Sequence, residues 1–266
     1  VTNVYNFTDQ ILVLRTLEYL QYPAKDIEFI ASAISTWSPK ICMVINAMAM
    51  GMTVSLIPSI VSDYTKKEMK SVEEKINRSI SMVIFISLPL VLGIVILARP
   101  VWYVFYNQNA YGSLILSFAV CSALLANVYM ILSTICQSLN KIKLVYIVSI
   151  TGFLLNGILD VPMMLLMNTL GYEAFIGSII SSIIGFGVSV LIGLISLRHT
   201  EKIKYTKMIR EVLKTMVPAT LMVVVLVLFN LFHFPYDTHV KAILKIGFYA
   251  LVGGSIYIGV SYKMGL

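Results

Sequence analysis

Long runs without a charged side chain, separated by short charged connections, dominate the pattern along the chain. Residues 41–62, 79–98, 174–197 and 215–236 contain no Asp, Glu, Lys or Arg. Each is close to the ~20 residues a helix needs to cross ~30 Å of hydrocarbon. Residues 144–167 form another such run, broken only by Asp160, and Lys245 to Lys263 bracket a last one. The run 100–140 is too long for a single crossing. Its opening, Trp102-Tyr103-Val104-Phe105-Tyr106-Asn107-Gln108-Asn109-Ala110-Tyr111, mixes aromatic rings with amides and suits the headgroup layer. The crossing helix is therefore expected to start near Gly112. Residues 1–20 read as part of a further helix whose beginning precedes Val1, so the chain is expected to be a piece of a longer protein. The pattern predicts an all-α, polytopic membrane protein with one partial and seven complete transmembrane helices. The runs are continuous rather than alternating, which excludes a β-barrel.

Composition agrees. Of 266 residues, 58% are hydrophobic and 12% charged, with a mean hydropathy of +0.87. Soluble domains carry about 25% charged residues, so a soluble enzyme, a disordered tail and a secreted disulfide scaffold are excluded. The three cysteines, Cys42, Cys121 and Cys136, sit in apolar runs without paired or metal-ligand spacing. The net charge of +7 is concentrated in alternate connections. Residues 63–78, 141–143 and 198–214, with Lys263, hold fourteen basic residues, whereas the opposite set holds Lys25, Lys40, Arg99 and Lys241. That bias is a topology signal and not a nucleic-acid footprint. It places the first set and the C-terminus in the cytoplasm. Both long basic connections also carry acids at helical spacing, so amphipathic segments lying on the membrane surface are expected there. The connection 199–214 divides the first six helices, residues 1–198, from a terminal pair, residues 215–266.

A few polar residues fall where hydrocarbon is expected. Asp160 is the sharpest, because an acid at mid-span costs ~2.5–3.5 kcal/mol on insertion scales. Asn156, Gly152 and Ser149 share its face at helical spacing, and Pro162 follows and frees a backbone carbonyl one turn earlier. The stripe reads either as a cavity wall binding a cation or proton, or as an acid hydrogen-bonded between helices. Arg15 suits phosphate, which its guanidinium fork matches, or pairs with Glu18 and snorkels to the interface. Asp9, beside Gln10, is open to the same two readings as Arg15, a functional one or simple pairing, here with a group in the part of the protein that precedes Val1. Asn46 and Thr53, and Asn127 and Thr134, repeat at seven-residue spacing, for which interhelical hydrogen bonding is the commoner explanation. Gly177, Ser181, Gly185, Ser189 and Gly193 place a small residue at every fourth position, a signature of close helix packing. Pro58, Pro89 and Pro218 in the spans favour a protein that moves over a static anchor. There is no nucleotide loop, metal cluster or catalytic triad, and His199, His233 and His239 fall in or beside loops.

Several stretches resemble the MATE-like exporter superfamily, in its polysaccharide-biosynthesis and lipid II flippase branch (MurJ-like and stage V sporulation protein B-like proteins). Met52-Thr53-Val54-Ser55-Leu56-Ile57-Pro58-Ser59-Ile60-Val61-Ser62-Asp63-Tyr64 resembles the family's small, apolar helix ending in Leu-x-Pro-x-x-Ser. Leu88-Pro89-Leu90-Val91-Leu92-Gly93 and Leu97-Ala98-Arg99-Pro100 resemble the next helix and its exit. Gln137-Ser138-Leu139-Asn140-Lys141 is similar to a Gln-Gly-x-Gly-Lys turn, with Ser138 and Asn140 where the family has glycines. Glu173-Ala174-Phe175-Ile176-Gly177-Ser178 stands at a family helix start.

The resemblance covers roughly residues 1–200. It implies the second lobe of a two-lobe transporter with a terminal helix pair, the first lobe belonging to the missing N-terminal part of the same protein. It also implies alternating access that moves a polyprenyl-diphosphate-linked oligosaccharide, such as lipid II, outward across the bacterial cytoplasmic membrane. An Na+ or H+ gradient or the membrane potential would drive the cycle. By this analogy Arg15, Asn46, Asn127 and Asn156 are candidates for the substrate, and Asp160 and Asp9 for ion or proton coupling. The partners implied are the lipid-linked sugar and membrane lipids, with no nucleic acid, no resident cofactor and no enzymatic chemistry. A cation-coupled drug antiporter and a non-transporting scaffold for envelope synthesis are the competing readings.

Overall fold

The computed structural model describes residues 2–231 and 237–266. The side chains of residues 2–7, 48, 49, 53 and 231 are outside that description, so Thr53 and His233 are not placed. The described elements are α1 (Thr2–Tyr19), α2 (Ala24–Ser32), a π-helical turn (Ala33–Trp37), α3 (Ser38–Thr65), α4 (Met69–Ile96) and α5 (Ala98–Tyr106). They continue with α6 (Gly112–Ser138), α7 (Ile142–Thr169), α8 (Phe175–Thr200), α9 (Thr206–Leu231) and α10 (His239–Lys263). No strand occurs among the described residues. Seven helical stretches are long and apolar enough to cross a membrane, the first running from Ala24 to Thr65 through the π-turn. With α1 as the partial helix, the expected count stands, and this is a multi-pass, all-α membrane protein.

Charge-free sequence explains where the helices run, and backbone chemistry explains where they stop. After α7, Gly171 takes φ +80°, its N–H bonds Asn168 O, and Tyr172 N–H bonds Met167 O. This Schellman ending satisfies carbonyls that the helix leaves unpaired. Asn140 does the same after α6 at φ +57°, with Lys141 N–H on Cys136 O at 2.8 Å. Asparagine is the residue that best replaces glycine in this conformation, so the turn keeps its form without the expected glycines.

Helix α6 is central and packs on α3, α4 and α8, while α7 lies along α8 and α1 rests mainly on α7. The apolar core has two tiers. One lies at the end carrying the basic connections and includes Ile60, Ile76, Ile135, Leu139, Leu197 and Ile203. The other is built around Ile30, Trp102, Ile115, Leu116 and Phe175. The terminal pair α9–α10 packs on α4 and α5, tied by the Tyr257 hydroxyl donating to Phe85 O at 2.7 Å.

Three features differ from the expectation. First, the 41–62 span is the C-terminal part of a longer rod, Ala24–Thr65. The Ser38 N–H reaches back to Ala33 O, a five-residue step forced where Pro39 has no N–H to continue the ordinary ladder. Second, residues 63–78 and 198–214 are not separate surface helices. Helices α3, α4, α8 and α9 extend into them, leaving only short turns. Charged side chains on an extended helix reach water as easily as those of a surface-lying one. Third, the headgroup-layer segment is itself helical over Ala98–Tyr106. It is clamped by aromatic rings: Trp37 stacks on Tyr106 at 5.3 Å, and Trp102 lies 4.9 Å from Tyr106. Helix α6 does begin at Gly112.

Candidate functional site

Helix α7 buries one narrow face: Val148, Gly152, Asn156, Asp160 and Met164, every fourth residue. Much of the rest is apolar, with Ile147, Ile150, Leu154 and Ile158 exposed. Polar groups therefore point inward and hydrocarbon outward, as lipid demands. The small stripe of α8 meets this face. A Cβ on Gly177 would stand 2.3 Å from the Met163 carbonyl carbon, and one on Gly185 would stand 2.9 Å from Gly152 O. Ser189 donates to Val148 O at 3.0 Å. Close packing, read from the stripe, is realised along most of its length.

That proximity creates a polar cluster. Asp160 is 0% exposed and Asn156 2%. The Ser181 hydroxyl contacts Asp160 Oδ1, Asn156 Oδ1 at 3.0 Å and Ser178 O at 2.7 Å. Asn156 Nδ2 donates to Asp9 Oδ1 at 2.9 Å, which draws α1 onto the α7–α8 pair. The Asp9 carboxyl stands within hydrogen-bonding reach of Asp160. Acceptors outnumber donors here. Asp160 Oδ2 has no hydrogen-bond donor, and the single Ser181 proton faces three oxygens. Asp9 also lines a cavity of about 60 Å3 with Gln10, Val13, Ala31, Pro39 and, on the π-turn, Ile34 and Ser35.

The structure thus brings together Asp9, Asn156 and Asp160 of the predicted set and leaves the others apart. Arg15 is exposed on α1 and takes part in none of the ion pairs found among the described residues. Asn127 is buried and donates to Ile45 O at 3.3 Å, tying α6 to α3. Asn46 Oδ1 is buried without a hydrogen-bond partner. Ser149 faces Tyr129, hydroxyl to hydroxyl at 2.6 Å. Sequence reasoning assigned Ser181 to packing alone. Its recurrence on the stripe opposite an Asn-x-x-x-Asp face was the available signal.

Comparison with known proteins places this arrangement. The MatE family model matches residues 29–161, half of the chain. The chain belongs to the MatE family. A relative, the Lipid II flippase MurJ of Bacillus subtilis (strain 168), is 23% identical over 270 residues, covering 98% of this chain and 48% of its own length. The solved structure of Lipid II flippase MurJ in an inward closed conformation superposes with a TM-score of 0.72 at 18% identity, covering 98% of this chain and 51% of that one. The fold is shared with that family member, and the chain spans about half the length of the relatives it matches.

Proposed function

We propose that residues 1–198 form the second lobe of a two-lobe flippase, with 199–214 as a cytoplasmic connector and 215–266 as a terminal pair. Its cargo is a polyprenyl-diphosphate-linked oligosaccharide of the lipid II type, moved outward across the bacterial cytoplasmic membrane by alternating access. The observation that carries this reading is the acceptor-rich Asp9–Asn156–Asp160–Ser181 cluster at the meeting of α1 with α7 and α8. Two bare carboxylates facing each other in a buried site repel. Na+ or a proton between them removes the repulsion and supplies the missing positive partner for Asp160 Oδ2. The oxygen-only donor set, two carboxylates with an amide and a hydroxyl, suits a hard cation. Cation loading then draws α1 against α7, and release frees it to move. Arg15, exposed on α1 beyond Asp9, supplies a cation for the diphosphate.

Complementation with the complete gene in cells depleted of their lipid II flippase tests this. The wild-type gene is expected to rescue growth, and Asp160→Asn to lose rescue with membrane levels unchanged. Failure of a well-expressed wild-type protein removes the lipid II cargo. Full rescue by Asp160→Asn removes the coupling role and supports a scaffold. Drug resistance without rescue supports the antiporter.

A further inference from the structure

We propose that the cavity between the end of α5 and the start of α6 is a carbohydrate-binding subsite. It is an open cavity of about 520 Å3 lined by Arg99, Trp102, Asn107, Gln108, Asn109 and Ser113, with Ala110 as the aliphatic contributor. The volume falls within the roughly 300–1,000 Å3 of small-molecule pockets. It lies at the end of α6 opposite the Lys141 turn, and therefore away from the basic connections.

The lining has an unusual balance for a membrane protein surface. One guanidinium, three carboxamides and a hydroxyl converge there, and no acid does. Trp102 is 1% exposed, and the Nε1 side of its indole lies against Gly112, so the ring is the buried floor of the cavity. The ring sits this deep because position 112 is glycine. A Cβ there would stand 2.0 Å from Trp102 Cε2. Asn109 Oδ1 is already engaged, accepting from Tyr111 N at 2.8 Å and Gly112 N at 3.3 Å, so its NH2 is turned to donation. Asn107 holds φ 63° and ψ −175°, a conformation essentially reserved for glycine and concentrated at ligand sites.

This set discriminates between ligand classes. A phosphate accepts only, and the carboxamide oxygens of Asn107 and Gln108 oppose it. Sugar hydroxyls donate and accept together, as carboxamides do. Arg99 adds a fork for a carboxylate or acetamido oxygen on the ring. On the flippase reading, on which only the physiological role of the site rests, this is the side where the translocated headgroup arrives.

The test uses the full-length protein in lipid nanodiscs, with N,N′-diacetylchitobiose followed by saturation-transfer NMR and inorganic phosphate as competitor. Saturation transfer to the disaccharide is expected, undiminished by equimolar phosphate. Arg99→Ala and Gln108→Ala should each weaken binding about tenfold, the loss expected for one strong hydrogen-bonding partner. No transfer, binding indifferent to both substitutions, or displacement by phosphate would overturn the subsite. A vesicle flipping assay separates the two proposals. Disaccharide binding by a protein that flips no lipid-linked sugar keeps the subsite and ends the flippase reading. Flipping by a protein that binds no disaccharide does the reverse.

Discussion

Gly177 and Gly187 lie on the same helix and meet opposite surroundings. A Cβ at 177 would run into the backbone of Met163 and Met164, whereas nothing lies within 4 Å of one at 187. Backbone cannot step aside as a side chain can. Gly177→Ala is therefore expected to cost roughly 1–3 kcal/mol, and Gly187→Ala to be neutral or to gain up to about 1 kcal/mol from helix propensity. Unfolding of the two variants in one detergent checks this, and equal losses would contradict the close approach of α7 and α8. At this scale the sequence was readable wherever a residue broke the rule of its surroundings. Asp160 and Asn156 stood out because carboxylate and amide are expensive in hydrocarbon. Ser181 did not, since serine is ordinary in a small-residue stripe and acquires its role only from what stands opposite.

At the scale of elements, the connection between α8 and α9 is held by α4 rather than left as a loose strap. Asn77 Nδ2 donates to Lys204 O at 2.9 Å and its Oδ1 accepts from Met208 N. Glu73 Oε2 accepts from Lys204 N at 2.9 Å. Asn77→Leu leaves the Lys204 and Met208 backbone groups without these partners, so limited proteolysis within 201–205 should accelerate several-fold, in line with about 1–3 kcal/mol per unsatisfied group. Lys141 reinforces the same segment through Glu201 at 2.6 Å. That hydrogen bond holds its ammonium above the usual lysine range. The pair's contribution is complete below the ordinary value of 10.5 and is lost only as pH rises through the higher one. Protection of the connector from an alkali-tolerant protease should thus be flat from neutral to pH 9 and fall above the lysine range, whereas Lys141→Met should be weaker throughout. The merger of α2, the π-turn and α3 was not legible beforehand. Lys25, Asp26, Glu28 and Lys40 look like a loop on a charge count. Folded, Ile27, Ile30 and Ala31 turn inward while the charges stay at the surface.

For the whole molecule, the asymmetry of basic residues yields an orientation that can be measured. A cysteine replacing Lys70 is expected to react with a membrane-impermeant thiol reagent only after the cells are opened. One replacing the exposed Tyr172 should react in intact cells, and the reverse pattern would invert the map. The native Cys42 and Cys136 are buried, which keeps background low. Helix number was visible at this scale because the hydrocarbon thickness sets a single length for every span. The packing order was not, since nothing in local hydropathy tells α6 that it will be surrounded.

The short turn between α7 and α8 also bears on how the chain enters the bilayer. As α7 emerges, Asp9 is already in place, but Ser181 is not yet made. An unpartnered Asp160 would face ~2.5–3.5 kcal/mol against insertion, with a second carboxylate nearby. Five residues, Leu170 to Ala174, separate the two helices, so α8 follows at once with its hydroxyl and its glycines. Biogenesis therefore favours the two helices leaving the translocon together as a hairpin, its polar seam already closed before lipid reaches it.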